Sequence, residues 1–249
     1  MSNRIEVVVK DSAREAGLEA ARRIAQIVRA KARPVVGLAT GSTPEIAYAE
    51  LARLHREEGL SFATTRTFNL DEYSGLGGDH PQSYRHFMRT RLFDHVDIRA
   101  WNTRVLDGEA AVPDLECAAF EAQIRATGGV DLWLLGIGGN GHIAFNEPGS
   151  PISSRTRVVA LTPDTIAANS DGRFFSNPAE VPRTALTAGI GTIRESRAIV
   201  LLATGPKKAA AVRDALRGPF GEHCPASLLQ DHPACTFILD RDAASLLGS

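Results

Sequence analysis

Two neighbouring acids, Asp71 and Glu72, follow directly on the apolar run Phe68-Asn69-Leu70. A carboxylate at the end of a buried strand can serve as a general base, but acids there can equally complement a helix dipole. A second chemistry-bearing stretch reads Gly136-Ile137-Gly138-Gly139-Asn140-Gly141-His142 and continues Ile143-Ala144-Phe145-Asn146-Glu147-Pro148. His142 lies among glycines, two residues after Asn140 and five before Glu147, which suits proton transfer better than a core histidine. Gly136, Gly138 and Gly141 also spell a formal GxGxxG, with Asp164 downstream. That dinucleotide fingerprint needs a helix opening at the last glycine. Asn146-Glu147-Pro148-Gly149-Ser150-Pro151 cannot make one, so a nicotinamide site is rejected.

Other stretches suit an anion. In Gly37-Leu38-Ala39-Thr40-Gly41-Ser42-Thr43-Pro44, Gly41 permits a sharp turn, and Ser42 and Thr43 offer hydroxyls and N–H groups at a helix N-terminus. This is phosphate-cradle chemistry, although Ser-Thr-Pro is also ordinary capping chemistry. Lys207 and Lys208 follow Gly205-Pro206 at a strand-to-helix turn. Lysine in a first helical turn opposes the dipole, and a bound anion would relieve that conflict. Arg173 adds a cation inside a stretch rich in Ser, Pro, Arg and Asn.

These residues need elements to hold them. Apolar runs predict strands over 5–9, 35–39, 65–70, 130–135, 198–203 and 235–239, the first read as buried. Helical spacing predicts helices over 11–31, 45–56, 80–93, 113–126 and 207–216, with a short helix after the last strand. Residues 146–182 show weak periodicity. Short strands, apolar on both faces and alternating with helices, predict an α/β fold with a mainly parallel sheet covered on each side. In such sheets ligands gather at the carboxyl ends of strands, where the reactive stretches fall. A single domain over 1–249 is the simpler reading, since no repeat or linker interrupts the chain.

Composition narrows the class. The 249 residues are 43% hydrophobic and carry a formal net charge of −1, which offers no global field for nucleic acid or an anionic membrane. No run of 18 apolar residues suggests a membrane span, and no apolar leader follows Met1. Cys117, Cys224 and Cys235 are odd in number and widely spaced, so neither a disulfide framework nor a metal site is expected. A reducing cytoplasm fits, and a homo-oligomer stays open.

Taken together the stretches resemble the glucosamine-6-phosphate deaminase/isomerase family. Gly141-His142-Ile143-Ala144-Phe145-Asn146-Glu147-Pro148 is the most specific match. Gly37 to Pro44, Phe68 to Tyr73, His80 to Tyr84, Ser154 to Arg157, Arg173 to Phe175 and Ala185 to Thr192 match too, in the family's order across nearly the whole chain. The resemblance implies a Rossmann-like three-layer sandwich that needs no cofactor. It implies an amino-sugar phosphate substrate whose phosphate is held by Gly41, Ser42, Thr43, Arg173 and Lys208. A mobile lid over about 150–182 would carry Arg173. His142, oriented by Glu147 and Asn140, would open the sugar ring, and Asp71 would move a proton from C2 to C1.

Departures from the family pattern matter. Many members carry Asp where this chain has Asn140, which can accept a hydrogen bond from an imidazole but supplies no charge. Galactosamine-6-phosphate-directed relatives resemble this chain at Asn140 and at Pro225-Ala226-Ser227-Leu228-Leu229. Related 6-phosphogluconolactonases and sugar-phosphate-sensing regulators share the fold. The intact Asp71-Glu72-Tyr73 and His142-to-Pro148 stretches argue against the first, and the lack of a basic recognition helix against the second. Some members bind N-acetylglucosamine 6-phosphate at a second site through an Arg matching Arg157, a Lys two positions on and an aromatic tail. Here the Lys position is Val159 and the sequence ends at Ser249, so that effector is expected to bind poorly.

Overall fold

The computed structural model describes residues 5–170 and 175–248. In chain order the elements are Glu6–Lys10 (β1), Ala13–Ala30 (α1), Val35–Leu38 (β2), Glu45–Glu58 (α2), Arg66–Asn69 (β3), Asp71–Tyr73 (β4), Tyr84–Arg91 (α3), Thr103–Arg104 (β5), Pro113–Ala126 (α4), Leu132–Leu135 (β6), Arg157–Ala160 (β7), Pro163–Asn169 (α5), Thr184–Thr187 (β8), Ile190–Arg194 (α6), Ile199–Ala203 (β9), Ala209–Arg217 (α7) and Cys235–Asp240 (β10).

Strands buried on both faces form the centre of a seven-stranded parallel sheet, in the order β1-β10-β9-β6-β2-β3-β5. Successive side chains alternate between its faces. Val36, Leu132, Leu134, Val200 and Ile238 join a core with α1, α2 and α3. Val35, Trp133, Leu135, Leu201 and Phe237 join another with α4, α6 and α7. Helices therefore cover both faces, which makes the three-layer Rossmann-like sandwich that the resemblance implied. From β2 the chain moves through β3 to β5, whereas from β6 it moves through β9 to β10. The switch point lies between β2 and β6, where such sheets open a crevice at their carboxyl ends.

Several expectations need correction. β1 is not buried: among the described residues it pairs with β10 alone, and its outer valines, Val7 and Val9, are exposed, as befits an edge strand. The helix expected over 80–93 begins only at Tyr84, where Ser83 caps it by accepting the His86 N–H at 3.0 Å. The expected short C-terminal helix is instead a run of turns, with the Ala243 N–H captured by the Asp240 carboxylate at 2.8 Å. The weakly periodic segment holds β7 and α5. β7 joins β8 and β4 in a separate antiparallel three-stranded sheet, order β4-β8-β7, over a small core that includes Tyr73, Phe145, Ile166 and Phe175. Among the described residues no helix is long and apolar enough to cross a membrane.

Candidate active site

The named residues gather at one edge of the main sheet. The carboxyl ends of β2, β3, β6 and β9 lead respectively to the Gly41 loop, Asp71, the Gly136–His142 loop and Lys208. Arg173 lies outside the described residues.

Asp71 and Glu72 take different parts. Glu72 accepts the N–H groups of Tyr73 at 2.9 Å, Tyr84 at 2.9 Å and Arg85 at 3.0 Å, so it anchors the start of α3. The dipole-complementing account thus holds for Glu72, though toward a helix twelve residues on. Burial nonetheless pushes its carboxyl up to about 7 against those three bonds. The Asp71 carboxylate meets no hydrogen-bond donor among the described residues and is only 6% exposed. Burial, and secondarily the neighbouring Glu72 charge, push it up to about 8. An acid so raised is a competent base near neutral pH.

β4 pairs Asp71 with Thr187 of β8, and the Thr187 hydroxyl oxygen accepts the Phe145 N–H at 3.1 Å. This bond ties the strand carrying Asp71 to the loop carrying His142. Gly138 makes room for the imidazole: a Cβ there would stand 2.2 Å from His142 Cε1. His142 Nδ1 faces Glu147 Oε2 at 3.6 Å, within ion-pair range but beyond hydrogen-bond length. Asn140 does not meet the imidazole as the sequence led us to expect. Its Oδ1 accepts the His142 backbone N–H at 3.2 Å, which turns its Nδ2 to donate to Glu147 Oε2 at 2.7 Å. Asn140 therefore shapes the loop and orients Glu147 rather than the ring. Burial raises the Glu147 carboxyl, but His142, the Thr165 hydroxyl and the Asn140 amide outweigh it and hold the group at about 2. A permanently ionised carboxylate beside the imidazole stabilises the imidazolium that forms during proton transfer. Thr162 and Thr165 are additions the sequence did not disclose. The Thr162-Pro163-Asp164-Thr165 pattern signals a helix start, but nothing local points to Glu147.

The stretches expected to bind an anion also lie at strand ends. Gly41 adopts φ +106°, a conformation that L side chains rarely take, and the residue at the start of α2 is Pro44, whose side chain cannot cap it. Tyr48, fully buried, donates to the Ala39 carbonyl and stiffens the loop. Lys208 is half-buried just ahead of α7, and among the described residues no acid pairs with it. Burial, then the Lys207 charge, hold its ammonium below the usual lysine range. Lys207 itself is exposed. Ser154 to Arg157 and Ala185 to Thr192 serve largely as scaffold: Glu121 accepts from the Thr156 and Thr192 hydroxyls and from Arg155, locking α4 to β7 and α6. Among the described residues no three His, Cys, Asp or Glu side chains gather as metal ligands.

Comparison with known proteins places this arrangement in a family. The profile of the glucosamine-6-phosphate isomerases/6-phosphogluconolactonase family matches residues 9–238. Glucosamine-6-phosphate deaminase 1 of Giardia intestinalis is 54% identical, covering 93% of this chain and 87% of its own length. Glucosamine-6-phosphate deaminase of Rhodopirellula baltica is 51% identical, covering 98% of this chain and 97% of its own. A solved structure described as a monomeric glucosamine-6-phosphate deaminase superposes with a TM-score of 0.94 at 44% identity, covering 97% of this chain and all of the other. By its family profile, its fold and these relatives, the chain belongs to the glucosamine-6-phosphate isomerase/6-phosphogluconolactonase family.

Proposed function

We propose that the chain converts glucosamine 6-phosphate to fructose 6-phosphate and ammonia. The observation that carries this reading is Asp71, a carboxylate only 6% exposed just past the carboxyl end of β3, one strand from the switch point, where burial raises its pKa to about 8. His142 takes the proton from the anomeric hydroxyl and returns one to the ring oxygen, which opens the ring, with Glu147 offsetting the transient positive charge. Asp71 then takes the proton from C2 of the open aldose, giving a planar enolamine, and delivers a proton to C1. That leaves a C1 hydroxymethyl group and a C2 iminium. Water adds at C2 and ammonia departs, so the net change is isomerisation with hydrolytic loss of nitrogen.

The start of α2 behind Gly41-Ser42-Thr43 and the half-buried Lys208 would hold the phosphate, with Arg173 brought up by the 150–182 segment acting as lid. The whole chain is read as one catalytic domain working in a reducing cytoplasm, in keeping with Cys117, Cys224 and Cys235, which are free and buried. Family membership alone also admits lactone hydrolysis, which calls for no base at C2. Ammonia release from glucosamine 6-phosphate and from galactosamine 6-phosphate, each run in deuterated water, tests the reading. The expected result is faster release from the gluco epimer, with solvent deuterium at C1 of the product. Hydrolysis of 6-phosphogluconolactone without ammonia release from either sugar would overturn it.

A further inference from the structure

Glu147 is fixed from several sides, and part of that hold comes from a helix with no other part in the site. Thr162 caps α5 by accepting the Thr165 N–H at 3.3 Å, and its hydroxyl donates to Glu147 Oε1 at 3.2 Å. The Thr165 hydroxyl donates to the same oxygen, from a side chain only 5% exposed. Oε1 is thus taken up by α5, which leaves Oε2 for the Asn140 amide and the imidazole. A carboxylate is planar, so anchoring one oxygen sets the direction of the other.

The hydroxyl of Thr165 is not needed to start the helix, because Thr162 already caps it. A threonine inside a helix can return its hydroxyl to a carbonyl one turn back, yet this one reaches across to a loop. α5 is itself seated through Ile166 in the small core that also holds Phe145, two residues before Glu147. The charged groups facing Glu147 are His142 at 3.6 Å and, across a cavity of about 350 Å³ that both line, Arg157 of β7. Arg157 donates to Asn146 at 2.9 Å and to Ser150 at 3.3 Å, while Asp164 on α5 is exposed to solvent.

We propose that Thr165, assisted by Thr162, is a positioning residue for the His142–Glu147 pair: the seated α5 turns Glu147 so that its second oxygen faces the imidazole. Proton transfer by His142 is thereby tied to the seating of α5. The kinetic part rests on the proposed deaminase activity; the geometric part does not.

The experiment uses the full chain carrying Thr165→Val, Thr165→Ser and Thr165→Val combined with Glu147→Gln. With glucosamine 6-phosphate, Thr165→Val is expected to lower kcat about tenfold or more and to leave KM within about twofold, since misaligned proton-transfer groups lose rate rather than binding. Thr165→Ser keeps the hydroxyl and restores kcat. In the Glu147→Gln background the valine adds no further loss, because the two side chains act through one carboxylate. Independently of substrate, the imidazole ¹H–¹⁵N signals of His142 should move in Thr165→Val and return in Thr165→Ser. Additive losses, a serine variant as slow as the valine, or unmoved His142 signals in a folded Thr165→Val protein would each overturn the proposal. A parent chain that releases no ammonia while the His142 signals still respond would sink the deaminase reading and leave the positioning role standing.

Discussion

Asp71 shows how a base is made from burial rather than from a partner. Its carboxyl is raised above the ordinary aspartate range because the charged form is desolvated and Glu72 stands beside it. The folded state therefore binds this proton more tightly than the unfolded chain does. The linked stability is fully present below the ordinary carboxylate range and is lost as pH rises through about 8. Activity needs the ionised form, so kcat/KM should rise with pH over the same interval. Asp71→Asn removes the buried charge and the base together. It should cut turnover by about 10²-fold or more and, at pH 9, raise stability by about 1 kcal/mol, a gain that fades by pH 4. Melting curves at both pH values check this; an Asn variant less stable than the parent at pH 9 would contradict the assignment. The residues by themselves flagged Asp71 and Glu72 only as a pair, and it was the family resemblance that named Asp71 as the base. The division of their work comes from α3, whose first N–H groups engage Glu72 and spare Asp71.

At the level of elements, the strand-end loops were legible because turn-forming and ionisable residues break apolar runs there. The antiparallel sheet was not legible. β4 has three residues and its partner β8 only four, too few to show alternation, and the Asp71↔Thr187 pairing joins positions far apart in sequence. β1 misled for another reason: Val7, Val8 and Val9 read as core, and only the sheet order shows that one side faces solvent. Lys208 illustrates what a strand end can do with a charge. Half-buried and unpaired among the described residues, it costs desolvation energy and returns nothing to the fold until an anion arrives. Lys208→Ala should raise KM for the sugar phosphate roughly 10- to 100-fold, as expected for a lost charge-assisted contact, and leave the melting temperature equal or higher. Lys207→Ala, at an exposed position, should change neither. Steady-state kinetics and a melting curve on each variant check both statements, and a Lys208→Ala protein with unchanged KM would remove this residue from the phosphate site.

For the molecule as a whole, the question is whether a second ligand can bias it. The effector site that the family resemblance implies falls on the cavity of about 350 Å³ beside β7, lined by Arg157, Val159, Ser150, Pro151 and Glu147. Among the described residues its one lining cation is Arg157, whose guanidinium is already engaged by Asn146 and Ser150. Val159 stands where a second cation would be needed, and the Glu147 carboxylate adds a repelling charge. A phosphate entering there would have to displace existing bonds and face an anion, with no second positive group among the described lining residues to compensate. A ligand that binds weakly, with no preference between states, cannot shift an equilibrium between them. We therefore expect hyperbolic dependence of rate on glucosamine 6-phosphate, unchanged by millimolar N-acetylglucosamine 6-phosphate. Val159→Lys should give the cavity its missing cation and measurable binding of that sugar phosphate by calorimetry. A sigmoidal curve in the parent chain that the effector straightens would show that Arg157 alone suffices, and that the charge at position 159 is not what limits binding.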